Sequence, residues 1–295
     1  MACSCDGYDD GVKNIHPPPK QFMTEEHHNT PQFLRDLPPQ FEPLRSFLTT
    51  NLLRYIKITE EDVGCLNSDL TGDLLHLWQS KIGGHPYLPQ GTSYPVDGKT
   101  GEMMMFLMQV NCIDLPQIEG FHLPQQGIIQ FYSGLDVPMC ELSPEKHRIL
   151  YFPEVFQDES KLVTDFSFTE SIRENHEWYD QIYALEFSVE RDLFWEDRYS
   201  DEQIAIPDDL MDIAEEFHSW LSDYDDENKT AGLGNKLGGY VSLDPFEVDI
   251  EGAKGRLLLQ LKHPFNSDDN FYFFIEDSDL INLDFSKVGS CFWRM

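Results

Sequence analysis

Positive charge is what this sequence has least of. Its 295 residues hold 21 Lys and Arg against 53 Asp and Glu, a formal net charge of −32. Nucleic acids are held largely through Lys and Arg on phosphates with release of counterions, so no nucleic-acid partner is expected. The deficit is also uneven. Residues 151–228 carry 24 acids against 4 bases, so −20 of the −32 lies in about a quarter of the chain. A field of that sign draws in basic partners and repels acidic ones.

Long apolar runs are missing too. The longest uncharged one, Met103 to Val110, contains Gln109 and falls far short of the roughly 20 residues a membrane-spanning helix needs. No membrane partner is expected. Cysteine is scarce: Cys3, Cys5, Cys65, Cys112, Cys140 and Cys291 are irregularly spaced, with no Cys-x-x-Cys pair. That excludes a disulfide framework and the usual zinc spacing. The first residues, MACSCDGYDD, lack the basic start and apolar stretch of a secretory signal. Together these absences describe a cytoplasmic protein with no cofactor and no metal. Its oligomeric state is not encoded in any pattern seen here.

What is present divides the chain unevenly. Residues 1–43 hold seven of the eighteen prolines and few branched aliphatics, the composition of an extended, polyproline-like tail. Residues 44–295 are expected to form one domain. Apolar spacing predicts an amphipathic helix from Glu42 to Ile56 and a shorter one from Asp69 to Trp78. Strand signals follow in MMMFLMQVN and GIIQFYSG, with a tight turn opened by Asp97-Gly98. Pro207 with Asp208 and Asp209 opens a helix whose buried face would be Leu210, Ile213, Ala214, Phe217 and Leu221. RLLLQLKH and NFYFFIEDS read as strands again.

A repeat runs through these pieces. Ser80-Lys81-Ile82-Gly83-Gly84 matches Asn235-Lys236-Leu237-Gly238-Gly239, and Phe106-Leu107-Met108-Gln109-Val110 matches Leu257-Leu258-Leu259-Gln260-Leu261. Ile129-Gln130-Phe131-Tyr132 matches Tyr272-Phe273-Phe274-Ile275 more weakly. The three matches keep their order. The expected fold is therefore α+β: an internal duplication of two mainly antiparallel β-sheet units with flanking helices. The repeats would span about residues 66–150 and 229–295, with the acidic segment 151–228 between them. Each Gly-Gly pair marks a sharp turn where backbone passes close to another element.

The order SKIGGHPYLP, FLMQVN, LPQQGIIQFY, NKLGG, LLLQL, FYFFI and DLINLDFSKV resembles the YwqG-like family of bacterial proteins of unknown function. More distantly it is similar to programmed cell death protein two and its ribosome-assembly relatives. The resemblance spans roughly residues 66–292. It implies an α+β fold with two related β-sheet units, and for the eukaryotic relatives a role in shielding a ribosomal protein before assembly.

Chemistry is harder to find. Gly98-Lys99-Thr100 lacks the upstream Gly of a phosphate-binding loop and reads as a hairpin turn. Asp223, Asp225 and Glu227 alternate as in a calcium loop, but Asn228 stands where the Gly belongs, so they read as solvated acids. Cys112, inside an apolar strand, reads as a core residue, and no nucleophile is paired with a base. The candidate binding residues are Lys81, Gly83, Gly84, His85 and Gln109, with Lys236, Gly238, Gly239 and Gln260 as their counterparts. Gln109 and Gln260 are amides inside apolar strands that must find partners. They would either tie the strands to the Gly-Gly loops or line a groove between the repeats. The leading functional expectation is a non-catalytic protein-binding module, a chaperone-like holder of a basic client. An immunity protein neutralising a basic toxin is one alternative. An enzyme using the groove between the repeats is another.

Overall fold

The computed structural model describes residues 30–66, 73–134, 146–170, 172, 181–193, 207–228, 234–241, 254–262 and 269–294. They form one ten-stranded antiparallel sheet: β1 Leu52–Cys65, β2 Lys81–Ile82, β3 Met105–Asn111, β4 Ile128–Ser133, β5 His147–Phe152, β6 Gln181–Leu193, β7 Lys236–Gly238, β8 Arg256–Lys262, β9 Asp269–Ile275 and β10 Gly289–Arg294. The strand order is β10-β9-β8-β7-β1-β6-β2-β3-β4-β5. The long pair β1–β6 thus sits at the centre, with four strands on either side.

The sheet curls until its two edges nearly meet. His147 on β5 donates from Nε2 to the Val288 carbonyl at 2.6 Å and accepts at Nδ1 from the Ser290 hydroxyl on β10 at 2.7 Å. Inside, Phe131 of β4 packs against Phe273 of β9 with ring centroids 5.2 Å apart. Such near-closure covers edges that would otherwise be open to aggregation. The interior is filled by Ile56, Ile58, Phe106, Met108, Leu259 and their neighbours.

Every residue of β3 and β4 is buried, because these strands are covered on both faces. The interior core takes one face. Leu77, Tyr87, Leu88, Leu162 and Phe166 form a second apolar layer over the other.

Among the described residues the α-helices are α1 Gln32–Arg35, α2 Arg45–Thr50, α3 Met211–Asn228 and α4 Asp277–Ile281, of which only α3 is long. α3 has the expected buried face, with Ala214 and Phe217 inside and Leu210, Ile213 and Leu221 packed beside them. What covers it is the chain's own early segment: Leu34, Leu37, Phe41, Leu44 and Leu48. Phe217 lies edge-on to Phe41 at 5.5 Å, and the Tyr224 hydroxyl donates to Asp36 at 2.7 Å. Pro31 and Pro38 keep extended dihedrals, and each begins a helical turn. No helix of the described residues is long and apolar enough to cross a membrane.

Two expected helices are corrected. The one read over Glu42–Ile56 ends at Thr50, and Leu52 begins β1. Thr49 and Thr50 turn their hydroxyls back onto the carbonyls of Arg45 and Ser46, a habit that does not favour continued helix. Tyr55, Ile56, Ile58 and Thr59 suit a strand instead. Of the helix read over Asp69–Trp78, residues 67–72 lie outside the described residues and 73–80 form turns.

Candidate functional site

The two Lys-apolar-Gly-Gly segments occupy corresponding places beside the central pair. β2 is only two residues long yet bridges two neighbours: Lys81 stands opposite Gln109 of β3 and Ala184 of β6. β7 does the same, with Lys236 opposite Gln260 of β8 and Lys57 of β1. Each strand ends because its glycines turn left-handed. Gly83 and Gly84 both have φ 68°, and Gly238 and Gly239 have φ 72° and 78°. A Cβ on Gly83 would stand 2.1 Å from the Gln181 carbonyl oxygen. On Gly238 it would stand 2.7 Å from the Phe121 ring. Only glycine fits.

Smaller details also correspond. The ladder skips Leu107 between β3 and β4, and Leu258 between β8 and β9. The Ser80 hydroxyl accepts from the Asn111 amide at 2.8 Å, while the Asn235 side-chain oxygen accepts from the Lys262 amide at 2.5 Å. Pairing also corrects the weakest sequence match by one residue. Gln130 faces Gln109 and Tyr272 faces Gln260, so Gln130, not Ile129, corresponds to Tyr272.

The first junction is built on a buried ion pair. The Lys81 ammonium meets Asp73 at 2.5 Å, with the two side chains 0% and 4% exposed. Burial holds Lys81 below its ordinary pKa, against the opposing attraction of Asp73. The same Asp73 oxygen accepts from the His85 backbone amide at 2.8 Å, and its partner oxygen accepts from Leu75 at 2.9 Å. His85 is itself buried, its ring stacked on Phe166 at 4.6 Å. Lys236, 1% exposed, lies over the Tyr55 ring at 5.3 Å. Asp73 gave no signal in the sequence, since one acid among 53 has no distinguishing pattern.

Gln109 is wholly buried, and both ends of its amide are used. Nε2 donates to the carbonyls of Leu77 and Gln79, each at 2.7 Å. Oε1 accepts from the Tyr87 amide at 2.8 Å and from Gln130 Nε2 at 3.0 Å. Gln130 also donates to the Tyr87 carbonyl and accepts from the Tyr132 hydroxyl. These amides supply the hydrogen bonds that the irregular segment 77–87 cannot make with itself. Gln260 donates likewise to the Gly234 carbonyl at 3.0 Å. Four strands separate β3 from β8, so the two amides each serve their own half. Tyr272, in the place of Gln130, has a buried hydroxyl with no hydrogen-bond partner among the described residues, and burial raises its pKa.

Other features resolve structurally. Asp97 accepts from the amides of Lys99 and Thr100 and pairs with Lys146 at 3.0 Å, so Gly98-Lys99-Thr100 is a side-chain-capped turn. Asp223, Asp225 and Glu227 fall on the α3 backbone rather than in a loop. Among the described residues no three His, Cys, Asp or Glu are grouped to hold a metal. Burial pushes the Cys112 thiol up to about 12, far from the thiolate a nucleophile needs. The fold does bring together a hydroxyl–imidazole pair that no sequence pattern joins, Ser290 and His147. The ring is 5% exposed in the seam between β5 and β10, where it fastens the two edges.

One family description, "Domain of unknown function (DUF1963)", matches residues 80–292. The match begins at the first Lys-Ile-Gly-Gly segment, ends in β10 and leaves the central strand β1 outside. No curated protein matches the chain. By a match over more than two thirds of its length, the chain belongs to the DUF1963 family.

Proposed function

We propose that this chain is a non-catalytic protein-binding module whose partner is a basic protein, held in a chaperone-like manner. The observation that carries the reading is the outward face of α3 and the turn before it. Asp208, Asp209, Asp212, Glu215 and Glu216 are all exposed there, and residues 207–228 contain no Lys or Arg. Acids three and four positions apart on one helix repel each other by a few tenths of a kcal/mol per pair. A basic partner would relieve that repulsion and would be steered in by the field, which raises the association rate more than the affinity. We also propose that the halves on either side of β1–β6 descend from one duplicated unit. Their matching register, bulge and glycine dihedrals support this, as does the ordered series of motifs that resembles the YwqG-like family.

The test is capture of interacting proteins at low and high salt, comparing wild type with Asp212→Lys/Glu215→Lys/Glu216→Lys. A basic protein should be retained by wild type at low salt, released as salt screens the charges, and lost by the triple variant. Equal retention by both chains, or no basic protein retained, sinks the reading.

A further inference from the structure

At the start of the central pair, Arg54 of β1 stands directly opposite Arg191 of β6. Residues opposed in an antiparallel ladder share a face, with Cβ atoms about 5 Å apart, and like charges there destabilise the sheet. Both arginines are on the interior face. Arg54 alternates with Ile56 and Ile58, and Arg191 with Val189 and Phe187, all of which join the same core. Neither guanidinium has an ion-pair partner among the described residues. The Nε of Arg191 is buried with no hydrogen-bond partner among the described residues. Two adjacent arginines with no carboxylate partner among the described residues call for a ligand.

A pocket of about 320 Å³ opens beside Arg54, lined by Leu52, Leu53, Arg54, Ile118, Glu119 and Arg256, and Arg191 adjoins it as the ladder partner of Arg54. It is framed by elements far apart in the chain. Turn 118–121 closes with the Phe121 amide on the Ile118 carbonyl at 3.2 Å. Arg256, first residue of β8, lies over the Phe121 ring at 4.8 Å and is fixed by the Gly120 carbonyl and Asp277. Asp277 answers the charge of Arg256, and Glu119, which also lines the pocket, is exposed to solvent. Among the described residues the charges of Arg54 and Arg191 remain unanswered.

We propose that this mouth of the curled sheet binds a small phosphate-bearing anion, with Arg54 and Arg191 as its paired ligands and Leu52 and Ile118 flanking the rest of the molecule. The guanidinium fork matches phosphate bidentately. Two cations unpaired among the described residues fit a dianion, which a phosphomonoester becomes above a pKa of about 6. A monocarboxylate would leave one of them uncompensated. The site is on different elements from the acidic helix face and stands or falls separately from the basic client.

Calorimetric titration of the full chain with inorganic phosphate, at ionic strength matched with sodium chloride, tests this. Saturable binding at millimolar concentration or tighter is expected, stronger at a pH where the phosphate dianion predominates than where the monoanion does. Acetate should bind much more weakly. Arg54→Gln and Arg191→Gln should each weaken phosphate binding roughly tenfold or more, the loss of one charge-assisted contact. Without phosphate and at low salt, each variant should melt no lower than wild type, because a like-charge neighbour is gone. Should Arg191→Gln unfold for packing reasons, Arg54→Gln carries the test alone. Heats no different from chloride, acetate binding as well as phosphate, or full phosphate binding in Arg54→Gln would overturn the proposal.

Discussion

Replacing Asp73 by Ala probes the heart of the first junction. At 2.5 Å and an effective dielectric of about 20, the Lys81–Asp73 attraction is roughly 6–7 kcal/mol. Taking both ions out of water costs several kcal/mol each, so the intact pair contributes little net stability. Removing one partner is different. It leaves the Lys81 ammonium, 0% exposed, without its counter-charge, and the amides of His85 and Leu75 lose their acceptors. The expected loss is about 3–5 kcal/mol, a large share of the 5–15 kcal/mol typical of a folded domain. Urea unfolding followed by tryptophan fluorescence and far-ultraviolet circular dichroism would measure it. The deficit should depend on pH. Burial already holds Lys81 below its ordinary 10.5, with Asp73 opposing that shift. Without Asp73 the folded-state value falls further. Between that lowered value and 10.5 the unfolded chain binds the extra proton, so the stability of the variant rises with pH across this window. Its deficit against wild type therefore narrows as the solution becomes alkaline. Lys81→Met combined with Asp73→Asn, which removes both charges and keeps an acceptor, should recover most of the loss. A deficit below about 1 kcal/mol at neutral pH, or a double variant no better than Asp73→Ala, would refute the reasoning.

Three further outcomes follow from the same geometry. Gly83→Ala should prevent accumulation of folded protein, because its Cβ would meet the Gln181 oxygen at 2.1 Å. Gly91→Ala, with φ 84° and nothing within 4 Å, should cost only the backbone strain of about 1–2 kcal/mol; equal soluble yields would contradict this. Gln109→Leu should lower unfolding free energy by roughly 3–5 kcal/mol, since buried groups left unpaired cost about 1–3 kcal/mol each; a loss under about 1 kcal/mol would mean segment 77–87 holds itself. Tyr272→Phe should be neutral or stabilise by about 1 kcal/mol in thermal unfolding, because its buried hydroxyl has no partner among the described residues to lose; a clear fall in Tm would show otherwise.

Local features were legible because their causes lie within a few residues. The apolar runs of β3 and β8, the helical face of α3 and the Gly-Gly turns announce themselves through side-chain period or the need for positive φ. The amides at Gln109 and Gln260 could be flagged as needing partners, although not which carbonyls would supply them. The Glu42–Ile56 reading failed where helical and strand spacing overlap in a short apolar stretch.

The sequence by itself determined the acidity, the strand segments and the two glycine junctions, since each is written in residue type and short spacing. Only the tertiary structure decided that β1 and β6, far apart in the chain, would form the centre of the sheet. It also decided that Asp73 would neutralise Lys81, that His147 would fasten the edges, and that Arg54 would face Arg191. Alternation says which residues share a face of one strand; which strand lies alongside, and in what register, depends on how distant apolar surfaces pack together.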